Sequence, residues 1–368
     1  MDDPSRNRAS GLTPEDARPA PPAYPDTNWL AALPQWPEGG LALDRMHDLL
    51  ERLGHPERAF PAVHVVGTKG KSTATRTVAA LLRAEGLAVG AYTSPHVAGW
   101  PERLDTDAER FERAVARVRP AGEAAGASQF ELLTAAAFAE FAARGVDAAV
   151  VEAGIGGRLD ATNVLGARVV LLTNVGLEHT ELLGATRAAI AADKLAVAWP
   201  GSTVVLPDLE FARLVEGREV RLGGAREAAV AFLGRPVERD VEIRLPGRFE
   251  LRGDEVRDGA HTAEAVEWLL ERLPAPGDYV VVVSILADKD VDGILERLAR
   301  AGRTLVATAS TNERALAPDD LARRGTRWFD RVETVPDPCD ALARARQLGP
   351  KVLVTGSLYL LAELAAED

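Results

Sequence analysis

The chain has 368 residues, two to three times the size of a typical single domain, so we expect two domains. Acidic residues outnumber basic ones by 55 to 43, and the net charge of −12 excludes a protein whose main partner is a nucleic-acid backbone. With 46% hydrophobic and 27% charged residues, the composition is typical of soluble globular proteins and excludes disorder throughout the chain.

The chain contains one cysteine, Cys339, which excludes an intramolecular disulfide and a cysteine-based zinc site. It has no apolar run of 18 or more residues, and its first residues lack the basic-then-apolar pattern of a secretory leader. These observations predict a cytoplasmic protein with neither a membrane nor a nucleic acid as its partner.

The first 28 residues are rich in proline, charged and small residues and show almost no apolar periodicity. This composition predicts a disordered tail over residues 1–28. Apolar residues then recur at helical spacing from Leu43 to Leu53, and Gly54 follows as a C-cap. They predict one amphipathic helix.

A buried strand is predicted at residues 62–66, where the sequence reads AVHVV, followed by a glycine-rich turn and a helix that Gly86 ends. Short apolar runs and helical patterns then alternate along the chain. The further strands are predicted at 148–151, 169–172 and 204–206, and the helices between them at 131–143 and 185–197. This alternation predicts a mostly parallel sheet covered by helices on both faces.

Residues 208–240 have weaker patterning, and we place the domain boundary at their end, which gives domains at 29–240 and 241–368. Beyond the boundary the alternation resumes. A helix is predicted at 261–272, and strands are predicted from Tyr279 and at 304–307 and 351–355. These elements predict a smaller, doubly wound, Rossmann-like α/β domain.

The strongest local motif is GTKGKST, between the first predicted strand and its helix, which comprises Gly67, Thr68, Lys69, Gly70, Lys71, Ser72 and Thr73. Backbone N–H groups of such a loop wrap phosphate oxygens, Lys71 neutralises phosphate charge, and the Ser72 hydroxyl approaches Mg²⁺. The loop is a short variant of the Walker pattern, because the leading glycine of that pattern would fall on Val65. The alternative is a tight turn whose glycines serve the backbone only.

Two further polar side chains follow predicted strands of the same sheet. Glu152 comes directly after the strand at 148–151, and His179 follows the strand at 169–172. Carboxyl ends of parallel strands face the ligand crevice, so both residues are candidate metal ligands. The alternatives are a helix cap or a salt bridge for Glu152 and an ordinary loop histidine for His179.

The ordered blocks resemble the folylpolyglutamate synthase and dihydrofolate synthase family, a branch of the Mur ligase superfamily, over residues 41–363. The blocks are GTKGKST, YTSPH, ELLTAAAFAEFA, EAGIGGRLDATN, TNVGLEHTELLG, DGAH, ADKD and TGSLYL. The resemblance implies a P-loop-type ATPase domain followed by a Rossmann-like glutamate ligase domain. It also implies an ADP-forming ligase that uses ATP to convert a carboxylate into an acyl phosphate, which the amine of L-glutamate attacks. We expect a monomer whose partners are small molecules: ATP, L-glutamate and a pterin or folate.

The resemblance also assigns residues of the ATPase domain. Ser94 and Glu152 would hold a first Mg²⁺, and Glu152 with His179 would hold a second. Lys194 corresponds to the family's carbamylated lysine, whose CO₂ adduct turns a cation into a carboxylate-like group; the alternative is a solvated helix lysine. Catalytic roles are thereby implied for Lys71, His179 and Lys194.

In the second domain, Arg248, Asp258 and His261 correspond to residues that reach the nucleotide, and Arg248 would stabilise charge at the γ-phosphate as a catalytic residue. The alternative for Arg248 and Asp258 is a loop ion pair. A structural role is favoured over direct contact for the residues of two further blocks, Asp288, Lys289, Ser357 and Tyr359.

Departures from the family pattern keep a second enzyme function open. Lys69 and Ser72 in the loop, and Thr262 after DGAH, are closer to peptidoglycan-type Mur ligases. In the region after TSPH, the family's usual Asn-Glu-Arg-Ile is replaced by PERL at residues 101–104, and the loop that follows is short; in the family this region helps to hold the pterin. The alternative substrate is a non-folate carboxylate such as a cell-wall precursor. A nucleotide-hydrolysing regulator is a third possibility, but ADKD does not match a guanine-reading motif.

Overall fold

The computed structural model describes residues 24–37, 40–97, 99–241, 243 and 247–366. The α-helices are α1 (Pro25–Ala31), α2 (Asp44–Arg52), α3 (Lys71–Ala84), α4 (Ala108–Ala125), α5 (Gln129–Arg144), α6 (Thr180–Leu183), α7 (Arg187–Leu195), α8 (Ala225–Leu233), α9 (Ala263–Leu270), α10 (Val291–Leu298), α11 (Pro318–Gly325), α12 (Pro338–Leu348) and α13 (Leu358–Ala366). The strands are β1 (Ala62–Val66), β2 (Val89–Tyr92), β3 (Ala148–Glu152), β4 (Val169–Leu172), β5 (Thr203–Leu206), β6 (Glu219–Leu222), β7 (Glu250–Arg252), β8 (Glu255–Arg257), β9 (Gly277–Val283), β10 (Gly302–Ala307), β11 (Arg331–Thr334) and β12 (Lys351–Thr355).

The first domain is built on a six-stranded sheet in the order β2-β3-β1-β4-β5-β6, in which every pair is parallel. Successive residues of β1 point to opposite faces of the sheet and are buried in different apolar clusters. Val63 and Val65 pack in the cluster that contains α3 and α8, whereas Ala62 and Val66 pack in the cluster that contains α5 and α7. Burial on both faces explains why the strands are continuous apolar runs. The predicted α/β fold with a mostly parallel sheet is confirmed.

The second domain has its own six-stranded sheet, in the order β11-β10-β9-β12-β8-β7, in which only the edge pair β7-β8 is antiparallel. Two apolar clusters line its faces. In both sheets the carboxyl ends of the parallel strands meet at one edge. In the first domain this edge brings together the segments that follow β1, β2, β3 and β4, and they carry the predicted site.

The prediction of a tail over residues 1–28 is wrong for its last residues, which belong to α1; residues 1–23 lie outside the described part of the chain. The carboxylate of Glu112 accepts hydrogen bonds from the backbone N–H groups of Asp26 and Thr27, at 2.7 and 2.9 Å. Leu30 is fully buried. A distant carboxylate and an apolar anchor therefore stabilise a first turn that the proline-rich sequence does not indicate.

Residues 208–240 are more ordered than their patterning suggests, because they contain β6 and α8. The last helix of the first domain ends at Leu233, and the first strand of the second sheet begins at Glu250. The predicted domain boundary at residue 240 falls between them and stays a prediction. Within the described ranges, no helix is both long enough and apolar enough to span a bilayer.

Candidate active site

The loop between β1 and α3 needs its glycines for backbone reasons. Gly67 has a φ of +149°, and a Cβ at this position would lie 1.9 Å from Thr173 Oγ1. Gly70 has a φ of +78° and forms the N-cap of α3. The tight-turn alternative accounts for these two glycines, but it does not account for the charged side chains gathered around the loop. Backbone N–H groups at the start of α3 are available to anionic oxygens.

Asn174 is a site residue that the sequence analysis missed. Its side chain accepts a hydrogen bond from the Lys69 backbone N–H at 2.9 Å and donates to the Lys69 carbonyl at 3.0 Å. Thr173 Oγ1 donates to the same carbonyl at 2.7 Å, and the Gly176 N–H donates to Thr68 Oγ1 at 3.0 Å. The segment after β4 therefore fixes the backbone of the loop from outside.

Glu152 occupies the centre of the site and is only 2% exposed. Its Oε1 accepts a hydrogen bond from the Ser72 hydroxyl, and its Oε2 accepts one from the Ser94 backbone N–H, both at 3.0 Å. Burial raises the pKa of Glu152 from its ordinary value of 4.5 to about 7, against the opposing effects of Lys71, the two hydrogen bonds and Arg248. The structure thus brings together the residues predicted from three separate strand ends.

Lys71 is the first residue of α3, and its side chain hydrogen-bonds back to the phosphate loop. Its ammonium group donates to the carbonyl of Gly67 at 3.0 Å and reaches the carbonyl of Thr68 at 3.5 Å. Its positive charge is the strongest influence that favours the ionised form of Glu152. The lysine is therefore placed over the loop, where phosphate charge would be neutralised.

Lys194 is buried, with 1% exposure, so the alternative of a solvated lysine is wrong. Its ammonium donates to the Gly67 carbonyl and to Glu178 Oε1, both at 2.9 Å. Burial lowers the pKa of Lys194, although Glu178 opposes this effect. The unmodified side chain thus supports the phosphate loop, and its lowered pKa favours the neutral amine that reacts with CO₂.

His179 adopts a left-handed backbone conformation, with a φ of +47°, at the start of α6. Partial burial lowers the pKa of its imidazole, and the positive charges of Lys194, Lys71 and Lys289 lower it further. A neutral imidazole is the form that binds metal ions. The carboxylate of Glu178 opposes these effects on the pKa of His179.

In the second domain, Asp258 shapes the loop that carries Arg248. Its buried carboxylate accepts hydrogen bonds from the backbone N–H groups of Phe249 and Ala260, both at 2.8 Å. Burial raises the pKa of Asp258, and the positive charge of Arg248 opposes this. The positive charge of Arg248 also favours the ionised form of Glu152 in the first domain. The side chain of Arg248 is exposed.

His261 and Lys289 face the same space. The Nδ1–H of His261 donates to the Gly259 carbonyl at 2.7 Å, which leaves Nε2 as the acceptor of the neutral ring. Burial lowers the pKa of His261, and the charges of Arg248, Lys289 and Lys69 add to this effect. The charge of Lys289 also contributes to the lowered pKa of His179, and the structural role favoured for Lys289 stays a prediction.

Lys69 links the two domains directly. Its ammonium donates to Thr262 Oγ1 at 3.2 Å and lies 3.6 Å from Glu264 Oε2. Thr262 is also the N-cap of α9 and accepts a hydrogen bond from the Ala265 N–H. The phosphate loop and the first turn of α9 are therefore joined at two of the positions where the sequence departs from the folate pattern.

The donor set at the predicted metal site combines Glu152 with the hydroxyl of Ser72 and the nearby Ser94. Among the described residues, no group of three or more His, Cys, Asp or Glu side chains is placed to hold a metal ion by itself. Mg²⁺ is commonly bound through one or two carboxylates, with phosphate oxygens and water completing its coordination. One buried carboxylate and a hydroxyl beside a phosphate loop therefore fit Mg²⁺ bound together with a nucleotide.

Comparisons with known proteins indicate the family to which the chain belongs. The model of the Mur ligase glutamate ligase domain matches residues 247–358. The Mycobacterium tuberculosis dihydrofolate synthase/folylpolyglutamate synthase is 31% identical over 410 aligned positions, which cover 85% of this chain and 84% of that protein. The solved structure of the M. tuberculosis folylpolyglutamate synthase complexed with ADP has a TM-score of 0.81 at 27% identity, covering 93% of this chain and 97% of that one.

A second solved structure is the bifunctional folylpolyglutamate synthase/dihydrofolate synthase of Yersinia pestis, complexed with AMPPNP and manganese. It is 26% identical, covers 93% of this chain and 96% of that one, and has a TM-score of 0.78. The matches extend through both domains, and the resemblance predicted from the motifs is confirmed. The chain belongs to the folylpolyglutamate synthase/dihydrofolate synthase family of the Mur ligase superfamily.

Proposed function

We propose that this protein is an ATP-dependent, ADP-forming ligase that joins L-glutamate to the carboxylate of dihydropteroate, of a folate, or of both. The observation that carries the proposal is the position of Glu152. This buried carboxylate is held between the Ser72 hydroxyl of the phosphate loop and the Ser94 backbone, under the influence of Lys71. The family membership supports the same chemistry.

The reaction requires activation because a carboxylate is a poor electrophile. A carboxylate oxygen of the acceptor attacks the γ-phosphorus of ATP, which forms an acyl phosphate and releases ADP. The amine of L-glutamate then attacks the acyl carbon, and collapse of the tetrahedral intermediate forms the amide and releases phosphate. Both steps depend on the alignment of reactants and on neutralisation of phosphate charge.

The residues of this chain divide these tasks. The loop from Gly67 to Thr73 would bind phosphate oxygens through its N–H groups, and Lys71 would neutralise phosphate charge. Arg248 would stabilise charge on the transferred group from the second domain. Asp258 shapes the loop that presents Arg248, and His261 would contact the nucleotide.

Glu152 and Ser94 would hold one Mg²⁺, and Glu152 and His179 would hold a second. The metal ions would supply charge neutralisation at the phosphates. Carbamylated Lys194 would place a negative group in the same region. The burial of Lys194 beside Glu178, which lowers the pKa of its amine, supports this assignment.

A groove at the edge of the first domain supports a pterin as the acceptor. Trp36, Phe130 and Leu159 line this groove together with Asp160. Trp36 is 42% exposed and Leu159 is 45% exposed, so large apolar groups face the groove without a protein partner covering them. A flat heteroaromatic ring such as a pterin would stack there. The folate-ligase names of the relatives also favour the folate function over the cell-wall alternative.

The test measures ADP release with Mg²⁺-ATP, L-glutamate and bicarbonate in the presence of dihydropteroate, tetrahydrofolate or no acceptor. We expect release that depends on both glutamate and a pterin, and the more effective acceptor identifies the step catalysed. Omission of bicarbonate, with the buffers degassed, tests the contribution of carbamylation. ADP release without either dependence would contradict the proposal.

A further inference from the structure

Val97 belongs to the first domain by sequence but to the second by packing. It follows β2 and is 6% exposed. The apolar cluster in which it is buried is otherwise formed, among the described residues, by residues of the second domain. These include Val280 and Val354 of the sheet and Leu361 of α13. The loop after β2 therefore inserts one side chain into the core of the other domain.

Gly247 is the second-domain residue against which Val97 packs. A Cβ added to Gly247 would lie 2.8 Å from Leu361 Cδ1 and 3.2 Å from Val97 Cγ1. The φ of Gly247 is +64°, and its carbonyl accepts a hydrogen bond from the Gly259 N–H at 2.9 Å. Gly247 directly precedes Arg248, so Val97 contacts the backbone from which the guanidinium extends.

The other end of the same loop is attached to the metal site. Ser94, three residues before Val97, donates its backbone N–H to Glu152. The Val97 N–H donates to Glu102 Oε2 at 2.7 Å, and Arg76 donates to Glu102 Oε1 at 3.1 Å. These bonds fix the loop between its two attachments. A short, doubly anchored segment thus connects Glu152 with the segment that carries Arg248.

We propose that Val97 is a positioning residue that places Arg248 against the nucleotide by anchoring the loop after β2 in the second domain. The side chain of Val97 touches no reacting group, so its effect passes through Gly247 to Arg248. If Arg248 reaches the γ-phosphate, losing this anchor weakens binding of a triphosphate more than binding of a diphosphate. The inference rests on the proposed function only in assuming nucleotide binding, and it does not depend on the identity of the acceptor.

The test compares the affinities for AMPPNP and ADP, both with Mg²⁺, in a double-mutant cycle of V97A and R248A. V97T is added because it keeps the side-chain volume but weakens the apolar insertion. V352A is the matched control, since Val352 lies in the same cluster, on β12. We expect V97A, V97T and R248A each to reduce the preference for AMPPNP over ADP by about tenfold, as loss of a well-placed charged contact does.

The control V352A should lower the melting temperature but leave the preference for AMPPNP unchanged. In the R248A background, V97A should reduce the preference by less than about twofold, because coupled residues are not additive. Additive effects of V97A and R248A would overturn the proposal, and so would an unchanged preference in V97A and V97T. Failure of the proposed function is a different result: wild-type protein that binds nucleotide but forms no pterin-dependent ADP.

Discussion

His64 makes the stability of the first domain depend on pH in the mildly acidic range. It lies in the centre of β1, fully buried, and its Nε2 is 2.8 Å from Thr162 Oγ1. The Thr162 hydroxyl donates to Asp160, so Nε2 of His64 carries the proton, and Nδ1 is a buried acceptor with no hydrogen-bond partner in the part of the chain that the structure describes. Burial lowers the pKa of His64 from 6.5 to about 3. Protonation would place an unpaired charge in the core.

The sign follows from proton linkage. Below pH 6.5 the unfolded chain binds a proton at His64 that the folded chain does not, so stability is complete above pH 6.5 and is lost as the pH falls towards 3. At pH 5 the loss is about 2 kcal/mol, since each pH step below 6.5 contributes about 1.4 kcal/mol. H64V removes this loss, although the substitution itself destabilises the core.

The measurement is urea unfolding of wild type and H64V, followed by tryptophan fluorescence at pH 7.5 and pH 5. The deficit of H64V in the free energy of unfolding should be about 2 kcal/mol smaller at pH 5 than at pH 7.5. His47 on α2 is exposed, so H47V is the matched control, and its deficit should stay constant. An H64V deficit that is equal at both pH values would refute the argument.

K71M should reduce ADP formation by about 100-fold or more with little change in melting temperature, because the hydrogen bonds that the Lys71 ammonium makes to described residues are to carbonyls of the surface loop; near-normal turnover would rule out its phosphate role. K69E and E264K should each lower kcat/KM for ADP formation a few-fold, because each breaks the ion pair between Lys69 and Glu264. The double variant K69E/E264K restores a pair of opposite charges and should recover part of the loss. Additive losses in the double variant would exclude the Lys69–Glu264 link. Activity of K194A should be rescued by acetate or propionate and that of K194R should not; no rescue of K194A would argue against carbamylation. E152Q should abolish ADP formation. Without metal, E152Q should be more stable than wild type by about 3 kcal/mol at pH 8.5 and about equal to it at pH 4.5, because burial raises the Glu152 pKa to about 7 and wild type therefore loses stability as the pH rises from 4.5 to 7; urea unfolding checks the sign.

The strands that the sequence predicts best are those buried on both faces. The bounds of β1, β4 and β12 agree with the predicted ones, because their apolar runs are continuous and sit inside the sheets. β6 escapes prediction because it is an edge strand paired only with β5, and its residues are partly or fully exposed. Its sequence EVRL therefore carries no burial pattern that would distinguish it from a loop.

Within the site, local motifs reveal Lys71, Ser72 and Glu152, because each follows or begins a recognisable element. Asn174 and Val97 are not predictable in this way. Asn174 holds the backbone of Lys69 across 105 residues of sequence. Such contacts depend on which strands become neighbours in the sheet, and the strand order cannot be predicted from any single segment of the sequence.

One physical effect, burial, dominates the pKa shifts of the charged residues in the site, and it also favours the binding of phosphate. Burial is the largest influence on the pKa values of Glu152, His179 and Lys194, and it opposes the charged form of each. In the folded chain Glu152 and Lys194 are therefore already shielded from water before a nucleotide arrives, whereas His179 remains exposed. In such a desolvated site the attraction between lysine and phosphate is stronger than in water, and little reorganisation remains for the reaction itself. The same desolvation explains why E152Q should gain stability while losing activity.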